Sequence, residues 1–314
     1  MKRAILWFLV LLLGGTGLYG AWFWWTLPEV GELADTNPGM TAFMTARQRS
    51  ATAQGESFTL RHRWIPLSAI PKRFQRTMIL AEDAAFWKHE GIDWHELEKA
   101  MQENWDEGRI VRGASTITQQ TAKNLYLSED QTLLRKLREA LIAQRLEAHL
   151  SKARILEIYL NIIEWGSGIF GIHAAAAYYF GKRPDQLNLS EMVRLAAVVP
   201  APLKMDPRNP SGELRWRSRV ILQRLRFYED ITRQEFERTR YDLDAFFGLV
   251  KERAPLDSLR DPRSLAPDDS TLDLRDGTRR DSAPRIVIPD SVIKPRLPEM
   301  RRESDASRDT TVRR

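Results

Sequence analysis

The chain has 314 residues with a formal net charge of +6, from 48 basic and 42 acidic residues, and it contains no cysteine. The lack of cysteine excludes disulfides, zinc–thiolate sites and cysteine nucleophiles, and the length allows one or two domains. The modest basic excess does not indicate a nucleic-acid partner, and it suits a surface that faces anionic lipid or a pyrophosphate.

The N-terminus combines two basic residues with a long apolar run. Lys2 and Arg3 precede the apolar residues 4–27, and about 20 such residues can cross the hydrocarbon core of a bilayer. A cleaved signal peptide is the alternative, but its apolar region would end after about 7–15 residues. Residues 1–27 are therefore predicted to be a cytoplasmic N-terminus and a retained transmembrane helix, with the rest of the chain outside the cytoplasm.

Residues 28–60 are predicted to be a membrane-proximal connecting segment, because glycine, proline and threonine interrupt any apolar periodicity. Within it, Met40, Phe43 and Met44 have helical spacing, which indicates a surface that lies on the membrane or on the domain. A mainly α-helical domain is expected over residues 61–230.

Cap residues predict where some of its helices begin. Ser151 and Ser190 each precede an apolar helical pattern, so both are predicted N-caps. Another helix starts either at the capping-box pattern of residues 128–131 or nearer Thr132. This helix is predicted to bury three leucines at positions i, i+3 and i+7: Leu134, Leu137 and Leu141.

The C-terminal part changes in composition. Residues 231–256 are left uncertain, with one amphipathic helix as the candidate. Over residues 257–314 Asp, Arg, Ser and Pro dominate, and such a segment cannot bury enough apolar surface to offset its ordering entropy, which predicts a disordered tail. Ser291 and Lys294 fit the S-x-x-K pattern of penicillin-binding transpeptidases. The residues that such a domain needs are missing around them, so we interpret the match as chance.

Two polar motifs lie in the first half of the predicted domain. Residues 82–91 read E-D-x-x-F-x-x-H-x-G, and residues 113–124 read GASTITQQTAKN. If the second segment is helical from about residue 115, its polar side chains form two adjacent ridges: Ser115, Gln119 and Lys123, then Thr116, Gln120 and Asn124. Such hydroxyls, amides and one ammonium could grip a sugar or a phosphate, although a solvated helix face is the alternative.

Two further motifs follow, RKLRE at residues 135–139 and RILEIYLN at residues 154–161. In this order the four motifs resemble the peptidoglycan glycosyltransferases, a lysozyme-like family that polymerises lipid II. The resemblance covers about residues 70–226, and residues 161–171 and the loop 200–210 look like the monofunctional branch. It implies a lysozyme-like glycosyltransferase domain without a transpeptidase domain.

The resemblance also implies a mechanism. Glu82 is expected to be the general base that takes a proton from the 4-hydroxyl of the N-acetylglucosamine of lipid II. That oxygen would attack carbon 1 of the N-acetylmuramic acid at the lipid-linked chain end, with inversion and release of undecaprenyl pyrophosphate. Glu139 is the second expected catalytic carboxylate, and it would orient cations around the pyrophosphate. A simple intrahelical ion pair with Arg135 is its alternative role.

Other residues receive roles from the same resemblance. The expected ligands of sugar or phosphate are Lys99, Ser115, Gln119, Gln120, Lys123, Asn124, Arg135, Lys136 and Arg138. The residues expected to shape the site are Asp83, Phe86, His89, Gly113 and Thr116. No cofactor is expected, since no ligand cluster requires a fixed metal, and Mg²⁺ or Mn²⁺ is left open as a counter-ion of the pyrophosphate.

The expected location is the bacterial inner membrane, crossed once, with the catalytic domain in the periplasm. The expected partners are lipid II, the lipid-linked growing glycan and the membrane itself, with other cell-wall synthesis proteins left open and no nucleic acid. Two other functions stay open from sequence alone. One is a peptidoglycan hydrolase on the same scaffold, which would also use carboxylates. The other is a non-catalytic scaffold whose tail binds partners.

Overall fold

The computed structural model describes residues 2–109, 113–128, 130 and 132–250. The predicted disordered tail of residues 257–314, with its S-x-x-K match, lies outside the described residues. The same holds for residues 251–256 of the segment that the sequence left uncertain.

The described chain is mainly helical, as predicted. Its α-helices are α1 (Lys2–Trp25), α2 (Ala42–Ala53), α3 (Lys72–Glu82), α4 (Trp94–Asp106), α5 (Ile117–Tyr126), α6 (Leu133–His149), α7 (Lys152–Ile162), α8 (Ile172–Phe180), α9 (Leu189–Val198), α10 (Gly212–Phe227) and α11 (Arg233–Phe246). Three short strands, β1 (Arg61–His62), β2 (Glu164–Gly166) and β3 (Ile169–Phe170), form one sheet in the order β1-β3-β2. β1 runs parallel to β3, and β2 runs antiparallel to it.

Helix α1 fits the predicted membrane span. Its segment Ile5–Trp25 has 21 residues and a mean hydropathy of 1.7, and the most apolar part of it is not buried in the protein. Burial begins only at its end, where Phe23 and then Leu27 enter the domain surface. A helix of this length and composition is long enough to cross a bilayer.

The connecting segment 28–60 contains a helix that belongs to the domain. Thr41 caps α2 by accepting a hydrogen bond from the Met44 backbone N–H at 3.2 Å. The Met44 side chain is only 1% exposed, and Phe43 packs against the same core. Of the three residues whose spacing allowed a surface on the membrane or on the domain, Phe43 and Met44 therefore pack on the domain, and Met40 is 53% exposed.

Helix α7 lies at the centre of the core. Ile155, Leu156, Ile158, Tyr159 and Leu160 are all fully buried in it, because α5, α6 and α8 pack around this one helix. An apolar run with buried residues on every face is typical of such a central helix. It gives the polar helices α5 and α6 a rigid support, and those two helices carry the motifs.

The helix starts test the sequence predictions one by one. Ser151 caps α7 as predicted, and α6 begins at Leu133 with Thr132 as its cap. The prediction for Ser190 is wrong, since Asn188 caps α9 in a capping box with Glu191. Asparagine is as good an N-cap as serine and stands two residues earlier. The uncertain segment 231–256 contains α11, so its candidate helix is confirmed.

The predicted buried face of α6 is wrong for two of its three leucines, since only Leu141 packs, partly buried, against the core. Leu134 and Leu137 are 53% and 50% exposed, while Glu139, Ile142, Ala143 and Leu146 are buried. These four stand at i, i+3, i+4 and i+7, so they form a second stripe that competes with the leucines for the core. The domain buries the stripe that begins with a carboxylate, and this choice brings Glu139 inside.

Candidate active site

Glu82 is the last residue of α3, and the turn that follows is bonded to the start of α5. The Asp83 carboxylate accepts a hydrogen bond from the Ile117 backbone N–H at 2.9 Å. An anion is stabilised at this place, because the first amides of a helix are unpaired and carry partial positive charge. The Thr116 hydroxyl donates to the Gly91 carbonyl at 2.6 Å. The first and second motifs are therefore joined at both ends of the turn.

His89 forms hydrogen bonds with both ends of the turn. The Gly91 backbone N–H donates to Nδ1 of His89 at 3.2 Å, so Nδ1 carries no proton, and Nε2–H donates to the Asp83 carboxylate at 2.9 Å. Phe86 is fully buried, and its ring is nearly perpendicular to that of His89, with 6.3 Å between the ring centres. Gly91 has a φ of +89°, and a Cβ there would lie 3.2 Å from the Ala143 backbone. The turn thus requires glycine at its end.

The start of α5 differs from the prediction. The helix begins at Ile117 instead of about residue 115, because Thr116 is its N-cap and forms a capping box with Gln119. The Gln119 amide oxygen accepts from the Thr116 backbone N–H at 3.0 Å, and Asn124 donates to the Gln120 carbonyl at 2.7 Å. Gln119 and Asn124 are buried. The two predicted ridges therefore do not both face outwards, and sugar binding by these amides stays a prediction.

Gln120 orients Glu82. Its Nε2 donates to Oε2 of Glu82 at 2.9 Å, while its Oε1 accepts from the Tyr159 hydroxyl at 3.1 Å. Burial, with the nearby charges of Glu82 and Asp83, raises the pKa of the Tyr159 hydroxyl well above its ordinary value, so this hydroxyl stays a donor. A fixed donor on the amide oxygen leaves only the amide nitrogen to face Glu82. The carboxylate is thereby held in one position.

Two arginines of α10 face the end of α3, and sequence reasoning missed both of them. Arg217 Nη2 lies 3.8 Å from Oε1 of Glu82, and Arg224 donates to the Leu80 carbonyl at 2.8 Å. They stand seven residues apart, which puts them on one face of a helix. That spacing was the available signal, but α10 otherwise reads as an ordinary basic amphipathic helix.

The surroundings of Glu82 favour a base. Burial raises the pKa of its carboxyl above the ordinary value; the hydrogen bond from Gln120 and the charges of Arg217 and Arg224 oppose this rise, and Asp83 adds to it. Among the described residues no donor reaches the buried Oε1 of Glu82 within hydrogen-bonding distance. Oε2 is therefore anchored, and Oε1 is an acceptor without a hydrogen bond from the described residues. The raised pKa of the carboxyl makes it a stronger base than an ordinary glutamate.

Glu139 has a different environment. It is 2% exposed, and it forms ion pairs with Arg135, at 2.5 Å, and with Lys136. The Lys136 ammonium also donates to the Ser115 hydroxyl at 2.9 Å. Segment 115–120 therefore contacts the Glu139 group through Ser115 and Glu82 through Gln120. Both predicted carboxylates therefore lie next to one short segment. Oε1 of Glu82 has no hydrogen-bond donor among the described residues, whereas Glu139 is paired with two cations.

The remaining predicted residues are more dispersed. Lys99 on α4 pairs with Glu96 at 3.3 Å, and the Lys123 ammonium lies 5.9 Å from the centre of the Phe43 ring. Arg138 bonds to the Thr26 carbonyl at 2.7 Å, at the end of the apolar helix. A Cβ at Gly113 would meet nothing within 4 Å, so crowding gives no reason for glycine there. Substrate contact by these residues stays a prediction.

Replacing Arg217 with glutamine is expected to shift the rising part of the pH–rate profile to higher pH. The base must be ionised to work, and the loss of this cation removes an interaction that lowers the pKa of Glu82. Arg217→Lys keeps the charge and should shift the profile less. The matched control is Arg219→Gln, since Arg219 on the same helix pairs with Asp244 at 2.9 Å. Identical profiles for Arg217→Gln and the unchanged chain would contradict this role.

No group of three or more His, Asp or Glu side chains that could hold a metal ion occurs within the residues described.

Comparison with known proteins places these residues in a family. A family model described as Transglycosylase matches residues 49–226. A biosynthetic peptidoglycan transglycosylase of Chromobacterium violaceum is 41% identical over 229 residues, which cover 73% of this chain and 99% of the relative. Proteins of the same name from Dechloromonas aromatica and Methylobacillus flagellatus are each 42% identical, covering 72% and 65% of this chain and 97% and 90% of the relative. The region that the family model matches contains all four motifs.

Proposed function

Because the chain belongs to the transglycosylase family and is thus a glycosyltransferase of peptidoglycan synthesis, we propose that it polymerises lipid II. In this reaction Oε1 of Glu82 takes the proton of the acceptor 4-hydroxyl, and the freed oxygen forms a bond to carbon 1 of the donor N-acetylmuramic acid. The bond from that carbon to the pyrophosphate breaks, and undecaprenyl pyrophosphate leaves with the electron pair. Attack from the face opposite the leaving group gives a β-1,4 linkage.

The observation that supports the proposal best is that only one of the two carboxylate oxygens of Glu82 accepts a hydrogen bond from the described residues. Oε2 is held by Gln120, whereas Oε1 is buried without a hydrogen bond among the described residues. An oriented carboxylate with one open oxygen and a raised pKa is what general-base catalysis requires.

The donor pyrophosphate is assigned to the cluster around Glu139. Arg135 and Lys136 supply two positive charges, and Lys136 keeps 42% of its side chain exposed, so its ammonium can turn towards a ligand. Cations suit a leaving group that gains negative charge in the transition state. Glu139 would hold both of them apart and oriented before the substrate arrives.

We propose no fixed cofactor, with Mg²⁺ or Mn²⁺ as an alternative counter-ion that would supplement the charges of Arg135 and Lys136. The lipid-linked substrate and the apolar helix α1 together support a single-pass protein of the bacterial inner membrane, with its active site in the periplasm. Other cell-wall synthesis proteins remain candidate partners.

The direct experiment offers the purified full-length chain two substrates. Lipid II should be lengthened into glycan with release of undecaprenyl pyrophosphate, and finished glycan strands should stay intact. Shortening of finished strands without lengthening of lipid II would instead favour a hydrolase.

The anchor is expected to be retained, with the N-terminus in the cytoplasm. A reporter enzyme that works only in the periplasm, fused after Leu27, should therefore be active, since Lys2 and Arg3 stay on the cytoplasmic side. Activity of a cytoplasm-only reporter at the same position, or a mature N-terminus near residue 21, would contradict this topology.

A further inference from the structure

The end of the anchor helix α1 is bonded to α6 by two arginines. Arg138 donates to the Thr26 carbonyl at 2.7 Å and to the Thr26 hydroxyl at 3.2 Å. Arg145 donates to the carbonyls of Trp24 at 3.3 Å and Leu27 at 3.2 Å. The last carbonyls of a helix have no partner inside the helix, and they carry partial negative charge. A guanidinium group supplies both a hydrogen-bond donor and a positive charge to these carbonyls.

Aromatic rings strengthen the same contact. The Arg138 guanidinium lies 5.1 Å from the centre of the Phe23 ring, and that of Arg145 lies 4.8 Å from the centre of the Trp24 ring. A cation at this distance over an aromatic face is attracted by the ring. Each arginine thus binds both a backbone carbonyl and a ring of the anchor, and Phe23 and Leu27 are themselves buried.

A third arginine forms similar hydrogen bonds with the residues that follow the anchor. Arg154 on α7 donates to the Leu33 carbonyl at 2.8 Å and to the Thr36 carbonyl at 2.7 Å. Residues 24–36 are therefore held to α6 and α7 along their length. A flexible tether between membrane and domain would need none of these bonds.

On α6, Arg138 and Arg145 lie close in sequence to the Glu139 cluster, to which the donor pyrophosphate is assigned. Arg138 directly precedes Glu139, and Arg135 and Lys136 lie within the same turn of the helix. Since a helix moves as a rigid body over so short a distance, any displacement of α6 against the anchor also displaces this cluster. The anchor in turn has a fixed depth in the bilayer. A lipid-linked pyrophosphate also has a fixed depth, at the membrane surface.

We propose that Arg138 and Arg145 are positioning residues that fasten α6 to the anchor and so set the height of the Glu139 cluster above the membrane. On this account the Arg138 guanidinium serves the anchor instead of the pyrophosphate, and α1 is part of the donor site. The inference rests on the proposed function, because it needs a substrate that is held in the membrane.

The chain contains no cysteine, so a chemical crosslink can replace the arginine. In the full chain, Thr26→Cys combined with Arg138→Cys removes the bond, and a short bismaleimide can then join the two positions. In vesicles of phosphatidylethanolamine and phosphatidylglycerol that contain lipid II, the uncrosslinked variant should polymerise about 10–100-fold more slowly than the unchanged chain. Crosslinking should restore most of the lost rate.

Each outcome bears on the proposal. No loss of rate before crosslinking would contradict a positioning role for Arg138, and a loss that crosslinking does not repair would show that Arg138 contacts the substrate. Arg145→Gln provides a second variant, which is expected to slow polymerisation in vesicles with an unchanged melting temperature. Full activity of this variant would contradict a positioning role for Arg145. Arg183→Gln, at an exposed ion pair with Asp185, is the matched control and should be fully active. An inactive unchanged chain would instead contradict the proposed function.

Discussion

Replacing Glu82 with glutamine is expected to abolish measurable polymerisation of lipid II. The amide is nearly isosteric and can still bond to Gln120, but it cannot accept a proton, and loss of a general base typically costs about 10²–10⁴ in rate. Binding of the lipid-linked donor should be unchanged, because the donor pyrophosphate is assigned to the Glu139 cluster. Turnover and the affinity for a non-reactive lipid pyrophosphate analogue should be measured on the same preparation.

The same variant should not lose stability. Burial raises the pKa of Glu82, so the folded protein favours the protonated carboxyl, and this group's contribution to stability is lost as pH rises through the raised value. Glutamine cannot ionise and avoids that loss. The melting temperature of Glu82→Gln relative to the unchanged chain should therefore rise between acidic and alkaline pH. A variant that melts lower at every pH would show that the carboxylate is needed for folding.

Replacing Glu139 with glutamine is expected to reduce both turnover and stability. The change leaves the cations Arg135 and Lys136 without their shared carboxylate, and Arg135 is largely buried. Removal of one partner from a buried pair costs about 3 kcal/mol at the low end, and the low end applies since Lys136 can turn to water. Turnover should fall by about 10²-fold or more, because the cations that stabilise the leaving group lose their orientation.

Donor binding separates Glu139 from Glu82. The affinity for the pyrophosphate analogue should change in Glu139→Gln and stay constant in Glu82→Gln. The control is Asp185→Asn, which makes the same carboxylate-to-amide change at an exposed pair. Unchanged donor affinity in Glu139→Gln would remove this residue from the pyrophosphate site.

The resemblance of four ordered motifs to a known family singled out Glu82 and Glu139, and their catalytic roles stay predictions. Acidic, amide and basic residues stand at fixed spacings within residues 82–139, and the structure brings Glu82 and Glu139 to the same segment. The helical fold followed likewise from periodicity and caps such as Ser151. What a local pattern could not decide was which stripe of α6 would be buried, because two apolar stripes compete and only the surrounding helices select between them.

Contacts between residues that are far apart in sequence could not be predicted either. Arg217 and Arg224 act on Glu82 only because α10 packs against α3, and nothing near Glu82 in the sequence indicates this. The bonds of Gln120 to Tyr159 and Glu82 could not be read from its neighbours in sequence, and its expected contact with sugar stays a prediction. The contacts of Arg138 also involve a distant segment, the end of α1. In each case the residue type indicated a hydrogen-bonding group, and only the packing of helices showed its partner.

The most direct test of the central claim is lipid II turnover by the purified full-length chain and by Glu82→Gln, assayed side by side. The unchanged chain should convert lipid II into β-1,4-linked glycan and release undecaprenyl pyrophosphate, while Glu82→Gln, still folded and still binding the donor analogue, should release none. Polymerisation by Glu82→Gln at the rate of the unchanged chain would show that another group takes the proton.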